Sequence, residues 1–237
     1  MDVIRLHPRL HHLRFPVGHA YLWDAPEGLT LIDSGLPGSA PLIADAVRSL
    51  GRDPEDVRRL VLTHFHEDHV GSAADVAAWG DVEVLAHRAD APFIRGEEKG
   101  PPPKLLDWER PIFEQVQAGL AGMEPPPPVR VDRELGDGDL IDLGGGTHAV
   151  AVAAPGHTPG SVAVHVPDER VLFTGDTVAR LDDGRVVLGV FNSDPPLAAE
   201  TFVRLAALDT EIVCFGHGAP VTENASAQLR EAASRRA

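Results

Sequence analysis

The sequence predicts an α+β fold in which two mixed β-sheets pack together and are flanked by helices. Two observations carry this expectation. Strand-turn-helix units occur in both halves of the chain, and each half opens on short strand-like runs separated by Gly-rich or Pro-containing turns. At 237 residues, with 43% hydrophobic side chains, the chain can fill a substantial core, and a single domain over residues 1–237 is expected.

In chain order, residues 2–7, 19–24 and 29–33 read as strands, the last two joined by the Pro26-Glu27-Gly28 turn of a hairpin. The hairpin ends at LIDSG, where Asp33 either orients a neighbouring histidine or caps the turn. Apolar residues at helical spacing predict a helix over 39–50. RRLVL (58–62) is a buried strand, and a helix is expected from Gly71 to Trp79. DVEVLAH (81–87) is a further strand, with His87 a structural or cleft-edge residue rather than a ligand.

From about 88 to 133 the composition changes. GPPPK and EPPPPV bracket a helix expected around 108–120, and the segment reads as an insertion or lid over a site, because its prolines cannot join a sheet interior. Phe93, Trp108, Ile112 and Phe113 favour contact with something apolar. The second half then supplies strands at 136–145, 147–155, 161–167 and 170–176, and a loop or hairpin over 180–191. A helix at 197–208, the strand of EIVCFGHG and a polar, surface-lying closing helix over 222–235 complete the chain.

A formal net charge of -15 opposes binding to nucleic acid or anionic membranes, which leaves a small molecule as the expected partner. Cys214 is the only cysteine, so an intrachain disulfide is excluded and a buried apolar role is expected for it. There is no run of ~20 apolar residues and no signal-peptide core at the N-terminus, so the expected location is the cytoplasm. An oligomer is neither required nor excluded.

The chemistry concentrates in THFHEDHVG (63–71), which places His64, His66, Asp68 and His69 directly after a buried strand. Neutral imidazoles and carboxylates are the nitrogen and oxygen ligands that zinc takes. Three further strand ends carry candidates: His157 in PGHTPGS, Asp176 in FTGDT and His217 in FGHG, each beside glycine. Seven such groups suffice for two metals that share a carboxylate and keep a solvent position. His7, His11, His12, His19, His148 and His165 fit no metal motif.

In their order, LIDSG, THFHEDH, PGHTPGS, FTGDT and FGHG resemble the metallo-β-lactamase superfamily over nearly the whole chain. That resemblance implies a four-layer αβ/βα sandwich and two Zn²⁺ per chain, with iron or manganese as alternatives. It assigns His64, His66 and His157 to the first metal, Asp68, His69 and His217 to the second, and Asp176 to both. Asp68 would also orient the nucleophile, a metal-bridging hydroxide, or carry its proton. The motifs are most similar to glyoxalase II and imply hydrolysis of an ester, thioester or lactone. However, TVARLDDGR stands where that branch carries its glycine-cysteine-glycine-arginine stretch.

Three other readings remain beside this one. Persulfide dioxygenases, which use one iron, lack the same stretch. Metallo-β-lactamases proper generally lack the bridging aspartate, so β-lactam hydrolysis is disfavoured. A non-catalytic module braced by metal would have to explain an unbroken ligand set. The family's lactonases use a tyrosine near the site, for which Tyr21 is the only candidate, and His19 lies where the first hairpin would border the cleft.

Overall fold

The computed structural model describes residues 1–235; the last two residues of the expected domain lie outside the described part. The first sheet runs in sequence order, β1 (Asp2–His7), β2 (Leu10–Arg14), β3 (Ala20–Ala25), β4 (Gly28–Ile32), β5 (Val57–Leu62), β6 (Glu83–His87) and β7 (Arg133–Leu135). It is antiparallel up to β4 and parallel from there. The second sheet is built from β8 (Leu140–Gly144), β9 (Thr147–Ala153), β10 (Val162–Val166) and β11 (Val171–Phe173). A small hairpin of β12 (Val178–Arg180) and β13 (Val186–Leu188) then precedes β14 (Ile212–Cys214), which joins this sheet beside β11 in parallel.

Seven α-helices complete the described residues: α1 (Ala40–Ser49), α2 (Glu67–Val70), α3 (Ala73–Ala77), α4 (Ala91–Ile94), α5 (Arg110–Leu120), α6 (Pro195–Ala206) and α7 (Ala225–Ser234). Their termini follow from sequence. Helix α1 has a proline in its first turn and ends before Gly51 at φ 78°, a left-handed position that costs glycine little. At α6 the Asp194 carboxylate accepts from the Leu197 amide ahead of a proline-led first turn.

Three hydrophobic clusters divide the molecule into four layers. One lies between the first sheet and α1 and α3, one between the sheets, and one between the second sheet and α6 and α7. Alternation along single strands decides which residue enters which cluster. In β3, Ala20 and Leu22 face the helices while Tyr21 and Trp23 face the other sheet; in β11, Leu172 faces α6 and α7 while Val171 and Phe173 face inward. Because both faces are covered, these strands read as continuous apolar runs. The fold is the four-layer αβ/βα sandwich.

Several sequence expectations change. Strand β2 was not expected, since His11, His12 and Arg14 mask a strand that is nonetheless buried from Leu10 to Leu13. The helix expected from Gly71 begins at Glu67, inside the motif, and is split into α2 and α3. Helix α7 is not merely a surface element, because Ala225, Leu229, Ala232 and Ala233 are buried against the second sheet. Of the four apolar residues in the 88–133 segment, Phe93 packs on Phe65 and Phe113 on Phe191, at ring-centroid distances of 5.1 and 5.2 Å. Trp108 and Ile112 stay exposed.

The third layer interface gives a direct stability test. Phe202→Ala, at a fully buried site on α6, is expected to cost about 3–5 kcal/mol in urea unfolding. Val203→Ala, one residue on and 53% exposed, should stay within about 0.5 kcal/mol.

Candidate metal centre

All seven candidate residues lie in loops or helical turns that follow strands, at one edge of the two packed sheets. His64 and His66 occupy the turn after β5, and Asp68 and His69 the short helix α2. His157 lies in the β9–β10 loop, Asp176 directly after β11, and His217 after β14. Their donor atoms fall into three overlapping groups, each within 4.8 Å: His64, His66 and His157; Asp68, His69 and His217; and His64, His69 and Asp176.

The spacing suits tetrahedral ligation, in which ligand atoms ~2.05 Å from an ion stand ~3.3 Å from one another. His157 Nε2 lies 3.0 Å from His66 Nδ1 and 3.7 Å from Asp176 Oδ2. On the other side, His217 Nε2 lies 3.1 Å from both Asp68 Oδ2 and Asp176 Oδ2, and His69 Nε2 lies 3.3 Å from Asp176 Oδ1. His64 Nε2, His69 Nε2 and Asp176 Oδ1 are buried without a hydrogen-bond partner. Buried polar atoms are seldom left so, and metal binding at the centre would satisfy all three. The backbone is shaped for the same purpose: a Cβ on Gly216 would stand 1.9 Å from Asp176 Oδ1.

A hydrogen-bond chain fixes which nitrogens face the centre. Asp33 Oδ1 accepts from the Thr63 amide at 2.8 Å, and Asp33 Oδ2 accepts the Thr63 hydroxyl at 2.7 Å. The single hydroxyl proton is thereby used, so Thr63 Oγ1 must accept from His64 Nδ1, 3.0 Å away. His64 is therefore the Nδ1–H tautomer with a bare Nε2. Asp33 Oδ2 also accepts from His69 Nδ1 at 2.8 Å, aiming Nε2 of that ring at Asp176 and Asp68. Of the two roles open to Asp33 in sequence, the structure places it behind histidine.

Electrostatics divide the histidines into two sets. Burial holds His64 well below the usual imidazole range, lowers His157 and brings His66 to about 3, which leaves neutral rings with lone pairs to offer. Asp176, with Asp68 adding to it, raises His217 to about 10. Burial opposes a rise at His69, but Asp176, Asp68 and Asp33 together outweigh it. In the cation-free protein these two rings thus carry the protons that offset Asp68 and Asp176.

Other residues take their places around this centre. The His19 amide donates to the Gly216 carbonyl at 2.9 Å, and burial, with the nearby His217 and His69, depresses its ring to about 4. Tyr21 is not a cleft group: its ring is buried and its hydroxyl donates to the Phe215 carbonyl at 2.7 Å, bracing the loop before His217. His87 Nδ1 accepts from the Ala89 amide in a local turn. Part of the 88–133 segment is fastened to the site loops, since the Lys104 amide donates to the Asn192 carbonyl and the buried Glu109 accepts from the amides of Leu106 and Phe191.

Asp90 has no counterpart in the sequence reading. It is fully buried and receives hydrogen bonds from both histidine-bearing loops. Its only sequence signal is an acid just beyond the end of β6, which no pattern in one chain distinguishes from a helix cap.

The family model described as the metallo-beta-lactamase superfamily matches residues 13–217, and the chain belongs to that superfamily. A probable metallo-hydrolase of Bacillus subtilis, YflN, is 29% identical over 248 residues, covering 95% of this chain and 90% of that one. A hydroxyacylglutathione hydrolase of Fuscovulum blasticum is 29% identical over 198 residues, covering 83% of this chain but only 60% of its own length. Among solved structures, a subclass B3 metallo-beta-lactamase of Bradyrhizobium japonicum shares 23% identity with a TM-score of 0.74, covering 99% of this chain and 90% of that one. A metallo-beta-lactamase family protein of Thermus thermophilus shares 21% with a TM-score of 0.70, covering 98% and 79%. At these identities the solved structures bear on fold alone.

Since a cation must displace the protons on His69 and His217, both raised above the usual imidazole range, metal uptake at neutral pH should release protons, and affinity should rise with pH above neutrality. Calorimetric zinc titrations in two buffers of different ionisation heat measure this; a buffer-independent heat would contradict it.

Proposed function

We propose that the protein is a dinuclear zinc hydrolase that cleaves an ester, thioester or lactone of a small molecule. The observation that carries this reading is the position of Asp176 between two ligand clusters, with Oδ2 3.7 Å from His157 Nε2 and 3.1 Å from His217 Nε2. His64, His66 and His157 would hold one ion and Asp68, His69 and His217 the other, with Asp176 shared. Bound there, two zinc ions would supply Lewis acidity and lower the pKa of water towards ~7.

The chain's own residues do the rest. His64 and His69, locked through Thr63 and Asp33, keep their lone pairs on the centre. Asp68, whose side chain is 22% exposed, is open enough to orient a nucleophile and to pass its proton towards the leaving group. His19, beside the His217 loop, borders the substrate. Phe65 packs on His66 with ring centroids 4.8 Å apart, which gives the first cluster an apolar neighbour suited to an acyl or aryl group.

Resemblance to hydroxyacylglutathione hydrolases supports thioester chemistry, while TVARLDDGR after the aspartate argues for an acyl carrier other than glutathione. The presence of Asp176 places β-lactams below acyl esters as expected substrates. No helix of the described residues is long and apolar enough to cross a membrane, and the reading is completed by a single catalytic unit acting on a small molecule in the cytoplasm.

The test is a panel of thioester, lactone, aryl ester, β-lactam and phosphodiester substrates, run on protein of measured metal content. Two zinc ions per chain with turnover of an acyl substrate is the expected result. Two bound zinc ions with no turnover would support a binding module instead, and one iron per chain with oxygen consumption on a persulfide would overturn the hydrolase. Asp176→Ala should lower both zinc stoichiometry and kcat/KM, the latter by more than about 100-fold. His19→Ala should leave two zinc ions in place and change the ranking of substrates, as competing kcat/KM values report.

A further inference from the structure

The three-histidine cluster is assembled from two chain segments far apart in sequence, the turn carrying His64 and His66 and the β9–β10 loop carrying His157. One side chain touches both. Asp90 Oδ2 accepts from the amide of Phe65, the residue between His64 and His66, at 3.2 Å, and from the hydroxyl of Thr158, next to His157, at 2.6 Å. Asp90 Oδ1 accepts from the Gly160 amide at 2.6 Å. With the Thr158 proton directed to the carboxylate, Ser161 Oγ, 2.8 Å from Thr158 Oγ1, is the donor in that contact, and it accepts from the Thr158 amide at 3.0 Å.

The approach is close enough to require glycine, because a Cβ on Gly160 would stand 2.4 Å from the Asp90 amide nitrogen. Asp90 is itself anchored: its amide donates to His87 at the end of β6, and its carbonyl accepts from Phe93 and Ile94. Fully buried, the carboxylate meets hydroxyl and backbone donors rather than a cationic side chain, and burial lifts it to about 6. A carboxylate is acceptor-only and so can serve all these donors, whereas an amide would set its NH₂ against the Phe65 or Gly160 N–H.

Resting on the two-metal reading, we propose that Asp90 is a positioning residue that clamps the two histidine loops together and so sets the affinity of the first metal, with no hydrogen bond to the loops of the second. The clamp works because His66 and His157 reach a common ion only if their loops keep a fixed separation. Loss of an outer hydrogen bond to a ligand assembly lowers metal affinity by about 10–100-fold.

The test is zinc competition against a chromogenic chelator, fitted for two sites, on the wild type, Asp90→Asn and Thr158→Val, with thermal unfolding and amide exchange of each metal-free protein. Asp90→Asn is expected to weaken one of the two sites by about 10–100-fold, to leave the other within about threefold, and to speed exchange in both 63–66 and 156–161. Thr158→Val removes one donor to Asp90 and the acceptor of Ser161 but keeps both backbone amides, so it should show a smaller loss at the same site in a protein that still unfolds cooperatively. It stands as the test if Asp90→Asn does not fold. Wild-type affinity at both sites in the folded variants, or equal weakening of both, overturns the clamp while the metal centre stands. A wild type that binds no zinc overturns the two-metal reading itself.

Discussion

The Asp33 carboxylate is the constraint on which the rest of this centre depends. It sits at the end of β4 in a left-handed conformation, φ 58°, which aspartate tolerates better than most residues. From there it reaches the Thr63 amide and hydroxyl and the His69 ring. Through Thr63 it dictates the tautomer of His64, and directly it dictates that of His69. One acceptor thus sets the direction of one imidazole in each cluster. Two adjacent parallel strands, β4 and β5, hold that acceptor and its donors in register.

Sheet packing explains why the remaining groups arrive at the same place. The inner cluster locks the faces of the two sheets together through Tyr21, Trp23, Ile32 and Val61 on one side and Val162, Val164 and Phe173 on the other. Strand ends from both sheets then share one edge. Asp176 follows Phe173 by three residues, and His217 follows Cys214 by three on the neighbouring strand. The site is therefore a consequence of strand adjacency, with Asp176 and His217 each carried within three residues of a strand end. Short connections of this kind hold ligands within the tolerance that coordination demands.

Charge is arranged with similar economy. Four acids, Asp33, Asp68, Asp90 and Asp176, are gathered around the histidines, and no lysine or arginine pairs with them among the described residues. In the cation-free protein, protonated His69 and His217 offset the two inner acids. Such a set is a poor structural device, since buried charge is costly unless compensated, and it is well suited to receive metal cations.

The sequence by itself determined the histidine- and aspartate-bearing motifs, their order and the sandwich that displays them, because those features are local: His64 to His69 lie within six residues, and apolar runs bounded by glycine mark the strands. It also placed most strand and helix centres, although α7 and β2 misled because composition alone does not show which face a neighbour covers. Tertiary structure alone decided what stands behind the candidate ligands. Asp33 had two roles open until His69, far along the chain, was seen against it. Tyr21 was a cleft candidate until its hydroxyl was found on Phe215. Asp90 carries no signal that sets it apart from a helix cap, since its partners Phe65 and Thr158 lie 25 and 68 residues away. Such roles depend on long-range hydrogen bonds, which leave no periodicity in a single chain and exist only once two sheets have brought their loops together.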